Sequence, residues 1–245
     1  MTPTCYMCDE PGTTVEHVPP KCLFPEDKDL PSGIKLRKSL ITVPSCKAHN
    51  TRFCRDDEFL MYILVINLPA NYTAFRQFRT KILRAVQRNP SLIKKLFANT
   101  HRVFVRSKPN GPLEPSLAYD IDEARFNAVL EKVARGIYYH HYNICWPGEI
   151  HVRPEFLVSI DQPNSIQTNK ITQTITAASN MLFAGSPSYG ANPSVFRYQV
   201  YDLPGKAPLM MRFRFYGEGC VTLIFNKRDL PTALIPPETA SGPSN

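Results

Sequence analysis

No apolar run in this 245-residue chain approaches the roughly 20 residues that cross a bilayer, which excludes a helical membrane span. The longest, Phe59-Leu60-Met61-Tyr62-Ile63-Leu64-Val65-Ile66, predicts a buried helix or strand instead. The first residues, Met-Thr-Pro-Thr-Cys, carry neither a basic leader nor an apolar signal core, so a cytoplasmic location is expected. Internal repeats are lacking at any useful period, which removes solenoids and propellers. A complete disulfide framework is lacking too. Seven cysteines, with the pair Cys5-x-x-Cys8 among them, point to metal binding in a reducing compartment. Residues 1 to about 50 lack any long stretch free of breakers, because Gly12, Pro19, Pro20, Pro25, Pro31, Gly33 and Pro44 interrupt them. Such a segment buries little apolar surface by itself and calls for a metal staple.

What is present reads as an α+β chain: a small zinc-stapled module at 1–68, a mainly helical region at 69–146, a β-rich region at 147–230 and a disordered tail at 231–245. Phe53, Leu60 and Leu64 predict a helix from Asn50, ended near Leu68-Pro69 because the residue before proline avoids the helical region. A second helix is expected from Tyr72 to Arg88, burying Phe75, Phe78, Ile82 and Val86. A third runs from the cap Asp122 to about Tyr142, burying Phe126, Val129, Leu130, Val133 and Ile137. His101 to Ser107 alternates like a strand, and Lys108-Pro109-Asn110-Gly111-Pro112 reads as a turn. Beyond Pro147, strands are expected at Phe156–Ile160, Phe196–Tyr201, Leu209–Tyr216 and Val221–Phe225. The last two form a hairpin around Gly217-Glu218-Gly219, and the whole makes an antiparallel sheet.

Chemistry concentrates near the N-terminus. Cys5-x-x-Cys8 and Cys46-x-x-His49 offer four soft-to-borderline ligands in two tight pairs, the requirement of a closed tetrahedral Zn²⁺ site. Cys22 or Cys54 in place of His49 is the alternative fourth ligand. Between the pairs lies Thr14-Val15-Glu16-His17-Val18-Pro19-Pro20, and directly after the second comes Asn50.

The arrangement of Cys-x-x-Cys, an acidic residue followed by His with a nearby Pro, then Cys-x-x-Cys/His followed by Asn, resembles the HNH endonuclease family in its zinc-stapled form. The resemblance covers roughly the first 65 residues. It implies a ββα-metal fold in which a hairpin carries the acidic-His pair and the following helix carries Asn50. It further implies Glu16 and Asn50 as ligands of a catalytic Mg²⁺ or Mn²⁺ ion, His17 as general base, and hydrolysis of phosphodiester bonds, in DNA before RNA. The residue types agree, since a neutral imidazole can take a proton from water near pH 7 and a hard cation can stabilise a departing 3′-oxygen. Two departures stand out: Glu16 replaces the more usual Asp, and Ser39 stands about where the family keeps its middle Asn. Stand-alone proteins of this kind also resemble nucleases of bacterial and phage conflict systems, whose second domain often does the sensing.

Each of these residues has a plainer reading. Glu16 can be a surface carboxylate, His17 a structural histidine and Asn50 a helix cap. Asp56 and Asp57 read as partners of the helix dipole and are left out of the site. The formal net charge of +8 favours a polyanionic partner. Arg76, Arg79, Lys81, Arg84 and Arg88 either track a phosphate backbone or form a solvated helix face. His140, His141 and His151 lack the carboxylate or cysteine that a second metal site needs at helical spacing. The 147–230 sheet holds no catalytic constellation, and its expected role is to position substrate or to bind a protein partner or a second copy. The alternative function is a zinc-binding nucleic-acid or protein interaction module without catalysis.

Overall fold

The computed structural model describes residues 3–52, 54–67, 71–91, 99–106, 111–160, 163–203 and 208–227. Short β-branched segments open the chain: β1 (Thr14–His17) pairs antiparallel with β2 (Thr42–Ser45), Glu16 opposite Val43 and His17 opposite Thr42. Two single 3₁₀ turns, Lys21–Leu23 and Asp27–Asp29, occupy the proline-rich connection. β2 leads into α1 (Lys47–Arg52) and α2 (Cys54–Asn67). The apolar run lies in α2, where Phe59 through Val65 are all buried, as expected of a helix that is hydrophobic all round.

α3 (Tyr72–Gln77), a π turn (Phe78–Ile82) and α4 (Leu83–Arg88) continue one another over the expected helical span, and the Asn71 side chain caps the start by accepting the Ala74 N–H. Its buried face differs from the expectation. Ile82 is buried and Val86 half-buried, but Phe75 and Phe78 are exposed while Ala74 and Gln77 face inward. The reason is polar: the Gln77 amide donates to the Cys22 and Leu23 carbonyls, which turns that side of the helix toward the β1–β2 connection.

β3 (His101–Val105) pairs with β4 (Glu114–Ala118), a strand the sequence reading missed; part of the expected turn between them lies outside the described residues. α5 (Glu123–Tyr142) begins at Asp122, whose carboxylate accepts the Arg125 N–H, and ends at Asn143 in the left-handed region. Its whole expected stripe is buried.

The remaining strands, β5 (Ile150–Pro154), β6 (Ser188–Tyr189), β7 (Phe196–Tyr201), β8 (Leu209–Phe215) and β9 (Gly219–Phe225), form an antiparallel sheet in the order β5-β9-β8-β7-β6. The hairpin around Gly217 is present, with Tyr216 and Gly217 both at positive φ. The strand expected at Phe156–Ile160 is instead irregular, and the chain pairs one segment earlier, through β5 at the sheet edge. Helix α6 (Ser165–Leu182) was not foreseen at all. The expected tail at 231–245 lies outside the described residues.

The two faces of the sheet differ in chemistry. Tyr138 of α5 stacks on Phe225 at 5.6 Å. Thr222, three residues earlier on β9 and so on the opposite face, meets Ser179 of α6 at 2.7 Å, beside a buried Arg212–Glu155 ion pair at 2.7 Å. The apolar core is one cluster reaching from Cys5 to Phe225.

Candidate functional site

Cys5 and Cys8 lie in a tight N-terminal turn in which the Cys5 N–H donates to the Glu10 carbonyl and Gly12 N–H to the Pro3 carbonyl. Cys46 directly follows β2, and His49 lies in the first turn of α1. These four residues converge, their ligand atoms all lying within 4.8 Å of one another. The His49 Nδ1 is 3.5 Å from Cys5 Sγ, 3.4 Å from Cys8 Sγ and 3.3 Å from Cys46 Sγ, and the Cys8 and Cys46 sulfurs are 4.0 Å apart. A tetrahedron with Zn–S of about 2.3 Å and Zn–N of about 2.0 Å has edges of roughly 3.5 Å (S to N) and roughly 3.8 Å (S to S). The match in size, together with three sulfurs and one imidazole, fits a metal ion such as zinc. Backbone N–H groups of His49 and Ala48 favour the Cys46 thiolate, while burial pushes the Cys8 thiol up to about 11. Cys22 is not part of the cluster: its thiol donates to the Asp57 carbonyl, and burial pushes its pKa up to about 12. The Cys54 side chain lies outside the described part of the chain.

Beside this centre, alternation along β1 sends Glu16 and His17 to opposite faces. Glu16 is buried, and its Oε1 lies 2.8 Å from the ammonium of Lys132, a fully buried side chain of α5. The same ammonium lies 3.0 Å from the Asp57 carboxylate of α2. Burial pushes Asp57 up to about 6 against the pull of Lys132. Burial also works against the Lys132 charge, but Asp57 and Glu16 outweigh it and hold the ammonium above the ordinary lysine value.

His17 is half-buried, and burial, then Lys21, then Arg37 lower its pKa below 6.5, so the imidazole is neutral at pH 7. Asn50 reaches back from α1, its Nδ2 donating to the Val15 carbonyl at 3.4 Å. Ser39 is exposed and takes a left-handed conformation (φ 52°) that asparagine adopts more readily than serine.

Three of the five expected cationic contacts are engaged inside the protein. Arg84 grips Asp29 with both guanidinium nitrogens (2.7 and 2.6 Å), Arg76 donates to the Asp29 carbonyl, and Lys81 donates to the Cys22 carbonyl. Arg79 and Arg88 are exposed. Lys21, Arg37 and Lys132 escaped the sequence reading as members of the site, and Asp57, read there as a partner of the helix dipole, lies instead against the Lys132 ammonium. For Lys132 a signal existed, since it lies on the helical face that carries Val129, Val133 and Gly136.

Comparison with family models, with curated proteins and with solved structures finds no match to this chain.

Proposed function

We propose that this protein is a zinc-stapled endonuclease of the ββα type that hydrolyses phosphodiester bonds of nucleic acid, DNA before RNA, with His17 as general base. The observation that carries the reading is the order β1, β2, α1 around the Cys5–Cys8–Cys46–His49 cluster. It ends β1 on a neutral histidine and ties Asn50 to that strand through the Val15 carbonyl.

The chemistry follows from the residues. His17 accepts a proton from a water molecule as that water attacks phosphorus; the P–O3′ bond breaks, and the 3′-oxygen takes a proton from solvent. Lys21 and Arg37, the cations that depress His17, supply positive charge for the phosphate. The Mg²⁺ or Mn²⁺ of the family would be held by Glu16 and Asn50. That pair does not fit a hard cation as arranged, because Glu16 already holds the Lys132 ammonium and Asn50 contributes one neutral amide. The hydrolytic step is therefore derived from His17, Lys21 and Arg37.

The same Glu16–Lys132 ion pair favours the second reading, a zinc-stapled interaction module without catalysis. Cleavage of supercoiled plasmid by the zinc-loaded protein and by His17→Ala, each with and without added Mg²⁺ or Mn²⁺, separates the two. The expected outcome is nicking by the parent alone, rising with pH along an acid limb whose midpoint lies below 6.5, as the lowered pKa of His17 requires. Equal nicking by His17→Ala would remove it as the base, and no nicking by either would leave the interaction module.

A further inference from the structure

The helical stretch 72–88 turns Tyr72 outward together with Phe75, a ring that periodicity would bury. Tyr72 is 63% exposed and Phe75 53% exposed. Each carries a guanidinium, with Arg76 5.8 Å from the Tyr72 ring centroid and Arg79 5.8 Å from that of Phe75. These four side chains and Thr80 line a cleft of about 440 Å³. A π turn at Phe78–Ile82 widens the helix just there and brings Thr80 to the cleft, with its hydroxyl donating to the Arg76 carbonyl.

The back of the stretch is clamped. Gln77 and Lys81 bind the Cys22 carbonyl, while Arg76 and Arg84 bind Asp29, so the helix is fastened to the connection that follows His17. The inner side, with Ala74 and Ile82 buried beside these polar contacts, is thereby fixed to the rest of the chain and the rings of Tyr72 and Phe75 are left on the outer side.

We propose that this cleft binds unpaired nucleobases, making single-stranded nucleic acid the substrate class of the protein; the inference rests on the nucleic-acid reading above. Aromatic faces stack on any base, and the exposed Arg79 guanidinium beside them meets a phosphate between bases, while Arg76, held on the Asp29 carbonyl, braces the Tyr72 ring. A duplex keeps its base faces covered, so outward rings gain nothing from it. The formal net charge of +8 and the exposed Arg79 match a polyanion rather than an apolar peptide.

The test uses the full zinc-loaded chain and fluorescence anisotropy with a labelled oligothymidylate and with a blunt duplex of equal length. Tyr72→Ala and Phe75→Ala are compared with the parent at one salt concentration. The expected result is preference for the single strand, about tenfold weaker single-strand binding in each variant, unchanged duplex binding and unchanged melting temperature. Unchanged single-strand affinity in both variants, or tighter binding of the duplex, overturns the proposal. So does ring-dependent displacement of the strand by polyglutamate at the concentration at which it displaces duplex, which would mark a site for acidic peptides. Failure here is separable from failure of the nuclease reading. His17-dependent cleavage with ring-independent binding sinks only this proposal, and ring-dependent binding without cleavage sinks only the other.

Discussion

Lys132 is a buried cation between two carboxylates from different elements, and its removal leaves both Glu16 and Asp57 without their counter-charge. Lys132→Met should therefore cost about 3–5 kcal/mol at pH 7.5, read by urea unfolding. The deficit should shrink in acid. Asp57 in the fold titrates about 6, above its ordinary 3.8, so the folded state binds that proton more tightly than the unfolded chain. Between those values acid favours the fold at this site, and above 6 the ionised carboxylate depends on Lys132. A deficit that is the same at pH 5 and pH 7.5 would show that the ammonium does not serve Asp57. The four cluster residues were legible in the sequence because their types and spacing are local. The ion pair was not, because it joins residues from β1 and α5, and only the face shared with Val129 and Val133 hints that Lys132 points inward.

Among the elements, the Cys5–Cys8 turn and the start of α1 bring their ligand atoms together in a cluster that could hold a metal ion. Cys46→Ser should lower bound zinc from about one ion per chain to near zero, measured by metal analysis of purified protein, while Cys22→Ser should keep it. Retention of zinc by the Cys46 variant would remove the four-residue cluster as the site. Strands β7, β8 and β9 were legible because their aromatic and β-branched residues dominate short segments bounded by turns. Helix α6 was not: Ile166-Gln167-Thr168-Asn169-Lys170-Ile171-Thr172 is rich in β-branched residues, whose propensity favours strands, and tertiary packing of Ser179 on Thr222 overrides it. β5 was displaced for a related reason. Pro154 ends it, and proline is tolerated there because β5 is an edge strand.

At the scale of the whole molecule, the N-terminal hairpin and the later helices share one interior. A Cβ on Gly136 of α5 would come within 2.4 Å of Val18 Cγ1, and the Tyr216 hydroxyl, just past the end of β8, donates to the Leu23 carbonyl at 2.6 Å. Gly136→Ala should thus cost about 1–3 kcal/mol by overpacking, where an open helical position would gain roughly 1 kcal/mol. The double variant with Val18→Ala should recover part of that loss. A stabilised single variant in urea unfolding would refute the close contact. In the sequence, Arg135-Gly136-Ile137-Tyr138-Tyr139 reads as a helix packing point whose glycine permits close approach, and the structure supplies the partner, Val18, which no pattern within 1–68 announces.

The shared interior also bears on how long the protein survives in a cell. Cys5 and Cys46 of the metal-ligand cluster belong to the same apolar core as Phe225, so losing a zinc ion held there should loosen the C-terminal sheet as well as the hairpin. Proteases clear chains in proportion to the fraction unfolded. The abundance of this protein should therefore follow zinc supply, with metal scarcity shortening its half-life rather than merely silencing one site.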